Sequence, residues 1–124
     1  MLPIDVVRLD DFFRSNSIPA PSVIKIDTEG SEFFAIQGMG YLLKGQSPPI
    51  ISFEYIEEDA GRYGVTLPRI IAYIQDESKG GYEFFRPDTD GSLINKDSYR
   101  ETVENDIVAV PSWRANEIKA ICKN

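Results

Sequence analysis

Histidine is absent from the 124 residues, and cysteine occurs once, as Cys122. The first absence removes the commonest general base and metal ligand. The second removes disulfide frameworks, thiolate metal clusters and Cys-His nucleophiles. Clustered basic charge is missing too: 13 Lys and Arg stand against 20 Asp and Glu, a net charge of −7. No run of cations can neutralise successive phosphates, which disfavours nucleic acid and anionic membrane surfaces as partners. No apolar run approaches the roughly 20 residues of a membrane-spanning helix. Met1-Leu2-Pro3-Ile4-Asp5 lacks the basic and apolar regions of a secretory signal. The expectation is a soluble, cytoplasmic protein. Nor is a Gly-x-Gly-type nucleotide loop expected anywhere in the 124 residues.

What is present suffices for one α/β domain over residues 1–124, with 42% hydrophobic and 11% aromatic residues to build a core. Residues 4–9 are rich in Val and Ile and read as a short strand, after which Asp10 or Asp11 caps a brief helix carrying Phe12 and Phe13. Pro19 and Pro21 break it. A second strand runs from Val23 to Asp27, apolar apart from Lys25, a pattern that suits a parallel strand covered on both faces. Phe33, Ile36, Met39 and Leu43 then recur at helical spacing, predicting a helix over about residues 31–43. Gly38 and Gly40 within it are expected to let it pack closely on a sheet. Residues 50–55 form a third strand ending in Glu54.

The stretch 57–62 reads as a polar loop, with Arg62 and Tyr63 as weak candidates for contact with a substrate. Thr66 caps a helix with Pro68 in its first turn and Leu67, Ile70, Ile71 and Ile74 along one face. Residues 82–86 and 92–95 read as a hairpin turning at Asp88-Thr89-Asp90-Gly91 rather than as a calcium loop, since the later acidic ligands of such a loop are absent. A last strand at 105–110 precedes a short helix capped by Ser112, with Trp113, Ile118 and Ile121 facing inward. The strand-helix-strand spacing argues for a parallel crossover, and the C-terminal hairpin region for antiparallel strands.

The chemistry-bearing segment is Lys25-Ile26-Asp27-Thr28-Glu29-Gly30-Ser31-Glu32, where an apolar strand runs directly into carboxylates. Carboxyl ends of parallel strands are where α/β proteins bind ligands. If residues 23–27 and 50–55 lie side by side, Asp27, Glu29 and Glu54 converge on one sheet edge. There they can serve as a general base or bind a hard cation. Glu32 is better read as complementing the positive end of the following helix. Lys25 neutralises a neighbouring carboxylate or reaches solvent from an edge.

These residues carry a resemblance. Leu9-Asp10-Asp11-Phe12, the Lys-x-Asp-x-Glu-Gly-x-Glu run at 25–32, Ile36-Gln37-Gly38 and Ile50-Ile51-Ser52-Phe53-Glu54 are together similar to FkbM-type S-adenosylmethionine-dependent methyltransferases, most closely over residues 6–55. The resemblance implies the C-terminal half of a Rossmann-like class I methyltransferase sheet without its cofactor-binding N-terminal half, residues 23–27 being its fourth strand and 50–55 its fifth. It also implies O-methyl transfer to a sugar or other small-molecule hydroxyl. Asp27 would stand where S-adenosylmethionine and acceptor meet, with Asp27, Glu29 and Glu54 as catalytic candidates. The family's glycine loop is missing, so the chain alone is expected to be inactive and unable to hold the cofactor. The alternative is a non-catalytic interaction module that forms a homo-oligomer through the open strand from Val23 to Asp27.

Overall fold

The computed structural model describes residues 2–94, 104–119 and 122–123. Helix α1 (Leu9–Ser15) leads to strand β1 (Val23–Ile26). Two short helices, α2 (Glu32–Gln37) and α3 (Gly40–Lys44), then cross over to β2 (Ile50–Ile56). Helices α4 (Glu57–Gly61) and α5 (Leu67–Glu77) precede β3 (Tyr82–Pro87), β4 (Leu93–Ile94) and β5 (Glu104–Pro111). A 3-10 turn (Ser112–Arg114), α6 (Ala115–Lys119) and β6 (Cys122–Lys123) follow. The strands form one sheet in the order β1-β2-β5-β3-β4-β6. The β1–β2 and β4–β6 pairs are parallel and the others antiparallel, as the crossover and hairpin signals require.

The main core lies on one face. Ile26, Ile51, Phe53, Tyr55, Phe84 and Ile107 from the sheet pack against Phe33, Ile36, Met39 and Leu43 and against Leu67, Ile70 and Ile74 of α5. Among the described residues the opposite face is covered only towards one end, where Ile50, Phe85, Leu93 and Val110 cluster with Ile118 of α6. β1 is therefore not buried on both faces as its sequence suggested: Val23 is 58% exposed and Lys25 also faces solvent. No helix among the described residues is long and apolar enough to cross a membrane.

The helix expected over 31–43 is two helices, and the reason lies 31 residues upstream. The buried Asp10 carboxylate accepts hydrogen bonds from the Tyr41 and Leu42 amides, at 3.0 and 3.4 Å, and so occupies the first turn of α3. The Asp10 amide in turn donates to the Gly38 carbonyl at 2.9 Å. A Cβ on Gly38 would lie 3.4 Å from the Leu9 nitrogen, so this glycine packs against α1 rather than the sheet. Gly40 likewise faces Glu77, Tyr73 and Asp10 side chains. The apolar spacing still reads through the break, because Phe33, Ile36, Met39 and Leu43 are all buried.

Other expectations need correction. Residues 4–8 form no strand and Leu9 opens α1; extended Val and Ile residues need a neighbouring strand, and none pairs with them. Neither Asp10 nor Asp11 caps α1, whose N-cap position is Arg8. Residues 57–61 are helical, their acidic side chains complementing the helix N-terminus. Thr66 stands at the N-cap of α5 but makes no side-chain capping bond, and Ser112 is no cap at all: it lies inside the 3-10 turn, whose N-cap is Pro111. Trp113 is 60% exposed, with the Arg114 guanidinium 5.7 Å from its ring. Asn95 and Ile121 lie outside the described residues. The turn after β3 is confirmed by the Asp88 amide donating to the Ser92 carbonyl and the Gly91 amide to the Asp88 carbonyl.

Two predictions follow from the packing. Asp10→Ala leaves the first amides of α3 without a partner and should cost about 1–2 kcal/mol in urea denaturation. Asp11→Ala, at an exposed position of the same helix, should cost far less; equal losses would remove the proposed tie between α1 and α3. Burial raises the Tyr82 phenol well above its usual value, and its hydroxyl donates to the Pro49 carbonyl at 2.7 Å. A neutral form favoured by folding stabilises fully below the unfolded pKa of about 10. That contribution is lost as pH climbs from there towards the folded value. The urea midpoint should fall at strongly alkaline pH more steeply for the native chain than for Tyr82→Phe.

Candidate functional site

The register Ile26↔Phe53 puts the next residues, Asp27 and Glu54, side by side at the carboxyl ends of two parallel strands. On β5, Asp106 is the cross-strand partner of Glu54. Because side chains alternate along strands, the burial of Ile26, Phe53 and Ile107 in the core turns Asp27, Glu54 and Asp106 to the uncovered face. There, with Lys25 and Ser52, they line a cleft of about 170 Å³. Asp106 went unnoticed in the sequence. Its signal was the polar start Glu104-Asn105-Asp106 of an otherwise apolar strand, but only the antiparallel register shows which residue it faces.

The loop from Asp27 to Glu32 is shaped by backbone geometry. Glu29 has φ 54° and Gly30 φ 101°. A Cβ on Gly30 would approach the Asp59 carbonyl oxygen to 2.8 Å, so the glycine lets the loop lie directly on α4. The buried Glu32 turns back to accept from the Thr28 amide at 2.8 Å and the Gly30 amide at 3.3 Å. The Ser31 hydroxyl donates to the Thr28 carbonyl at 3.0 Å. Glu32 is thus structural, holding the loop itself as well as standing in the first turn of α2. Glu29 is exposed at the loop tip and does not line the cleft, so the structure brings together Asp27 and Glu54 but leaves Glu29 outside.

Among the described residues no three His, Cys, Asp or Glu side chains are arranged to hold a metal ion, and a metal site built from Asp27, Glu29 and Glu54 finds no support. Arg62 pairs with Asp59 at 3.3 Å and Glu58 at 3.9 Å, and the Tyr63 ring meets Phe34 edge-on at 5.5 Å. Both are engaged within α4 and against α2 and do not line the cleft. A larger depression of about 350 Å³ lies between α1 and α3. Asp10 there is already bonded to two amides and the Arg14 guanidinium sits 4.5 Å from the Tyr41 ring, so no uncommitted polar groups converge in it.

The Gly38-Met39-Gly40 segment has glycine spacing found in nucleotide loops but joins two helices, and the Gly38 amide is taken by the carbonyls of Phe34 and Ala35. It offers no strand-to-helix cradle for a cofactor.

The chain is thus an α/β domain with a carboxylate-lined cleft on one face of its sheet and helices packed on the other. Residues 2–84 match the family model described as the methyltransferase FkbM domain, and the chain belongs to that family. The match extends past the segment 6–55 and occupies the N-terminal part of the chain, so describing the whole chain as the C-terminal half of the domain was inaccurate: residues 85–124 lie outside the match. No curated protein and no solved structure matches the chain.

Loop geometry yields a contrast in sign. Gly30→Ala combines a left-handed φ with a backbone clash and should destabilise the fold by about 1–3 kcal/mol. Glu29→Gly relieves its positive φ and should be neutral or stabilising in the same thermal melts. Loss of stability in both variants would refute this account of the loop.

Proposed function

We propose that this chain supplies the acceptor side of an S-adenosylmethionine-dependent O-methyltransferase, with Asp27 and Glu54 facing a small-molecule hydroxyl. The observation that carries the reading is the meeting of these two carboxylates, from adjacent parallel strands, in one cleft of a domain that belongs to the FkbM methyltransferase family. Glu54 is the general-base candidate and Asp27 orients the hydroxyl through a second hydrogen bond. Asp106 and Ser52 add further hydrogen-bonding groups in the same space. Glu29, at the exposed loop tip, is assigned to the rim, where it can meet the part of an acceptor that projects from the cleft.

The residues present do not fit the whole cofactor. A volume of about 170 Å³ falls below the roughly 300–1,000 Å³ typical of clefts that enclose drug-sized ligands. Among the described residues no strand-to-helix loop is glycine-rich: the one between β1 and α2 has only Gly30, whose amide is taken by Glu32 and which packs on Asp59. S-adenosylmethionine is therefore assigned no binding residue in this chain beyond Asp27, at the rim where cofactor and acceptor would meet, and no chemical step is derived through it. What the chain's own residues do is bind, orient and deprotonate a hydroxyl.

Calorimetric titration of the chain with S-adenosylmethionine should show no micromolar binding; such binding would overturn the claim that the chain alone is cofactor-incompetent. Monosaccharides and small polyols, screened by amide chemical shifts, should perturb residues 25–27 and 52–54. Glu54→Gln should weaken that binding roughly ten- to a hundredfold, the loss of one hydrogen bond to a charged group at about 1.5–3 kcal/mol. Perturbations confined to other surfaces would sink the acceptor-site reading.

A further inference from the structure

The free edge of β1 and the N-terminal segment are complementary in backbone and side chain. Among the described residues β1 ends the sheet, with β2 as its one neighbour. The Ile50 amide donates to the Ser22 carbonyl at 2.9 Å, so residues 22, 24 and 26 address β2 while Val23 and Lys25 turn their amides and carbonyls to the open edge. Upstream, residues 2–8 carry no secondary structure, and Ile4, Val6 and Val7 are 83%, 90% and 60% exposed. A chain that buries its core thoroughly thus leaves an apolar, strand-forming segment and an apolar strand edge both in water.

We propose that two copies of this chain associate by reciprocal strand addition, residues 4–7 of each pairing antiparallel with β1 of the other. Charge fixes the register, because placing Asp5 of the partner subunit opposite Lys25 matches a carboxylate with an ammonium. Antiparallel direction then sets the partner's Val7 against Val23, the partner's Val6 against Ile24 and the partner's Ile4 against Ile26, so every remaining pair is apolar. A parallel arrangement would put Val7 against Asp27 instead. Pro3, which has no amide to donate, falls opposite Asp27 and ends the ladder there. The exchange is isologous and closes on two copies, each giving one segment and accepting one. It is independent of the methyl-transfer reading.

Sedimentation equilibrium over a wide concentration range tests it. The native chain should be a dimer, and Val7→Pro, which removes an amide that points at the partner's β1, should weaken association about tenfold or more at each of two symmetric contacts. Asp5→Lys should weaken it as well, and Asp5→Lys combined with Lys25→Asp should restore it. Circular dichroism should be unchanged in Val7→Pro and Asp5→Lys, since residues 5 and 7 are exposed in the folded chain. A strict monomer at high micromolar concentration, an open-ended polymer, or a dimer indifferent to Val7→Pro would each overturn the proposal.

Discussion

The structure depends on the parallel pairing of β1 with β2 in a single register. Backbone hydrogen bonds in a parallel ladder fix which residues end level with one another, and side-chain alternation fixes which face each takes. Ile26, Ile51 and Phe53 are all within the core, so slipping either strand by one residue would drive them into water and bring Lys25 or Ser52 against the helices. Burial of those apolar side chains, each contributing about 1.5–3 kcal/mol, is what holds Asp27 and Glu54 together.

The acidic residues divide by what satisfies them. Asp10 and Glu32 are buried and accept hydrogen bonds from backbone amides, which makes them parts of the scaffold. Glu77 pairs with Lys44 at 2.9 Å, and Asp59 and Glu58 pair with Arg62. Asp27, Glu54 and Asp106 differ in sharing a cleft. This division gives the Leu-Asp-Asp and Glu-Gly-x-Glu segments a mechanical meaning: Asp10 fastens α1 to α3, while Gly30 and Glu32 set the loop in which Asp27 begins.

Much of this was legible in the sequence, and what was not has a common cause. Periodicity identified β1, β2 and α5, and the buried stripe of Phe33, Ile36, Met39 and Leu43, because a core-facing pattern survives wherever the backbone keeps its local period. The break between α2 and α3 was invisible because its cause, Asp10, is distant in sequence. Residues 4–8 have strand propensity, but propensity supplies no pairing partner. Asp106 joined the site through a cross-strand register that pattern alone does not specify. Lys25 was the one available hint that β1 has an uncovered face, since a long cationic side chain within a strand is most readily accommodated where it can reach water.

The cleft and the sheet edge belong to the same strand, and this couples them. Lys25 and Asp27 line the cleft while their strand's outward amides and carbonyls remain available for pairing. A strand added there would stand about 4.8 Å beyond β1, and its side chains on the uncovered face would become the outer wall of the cleft. The depth of the cleft and the desolvation of Asp27 are consequently set by whatever occupies the edge. Carboxylates act more strongly as bases and hydrogen-bond acceptors when water is excluded. A strand added along β1 would therefore deepen the cleft and shield Asp27 from water without moving the core.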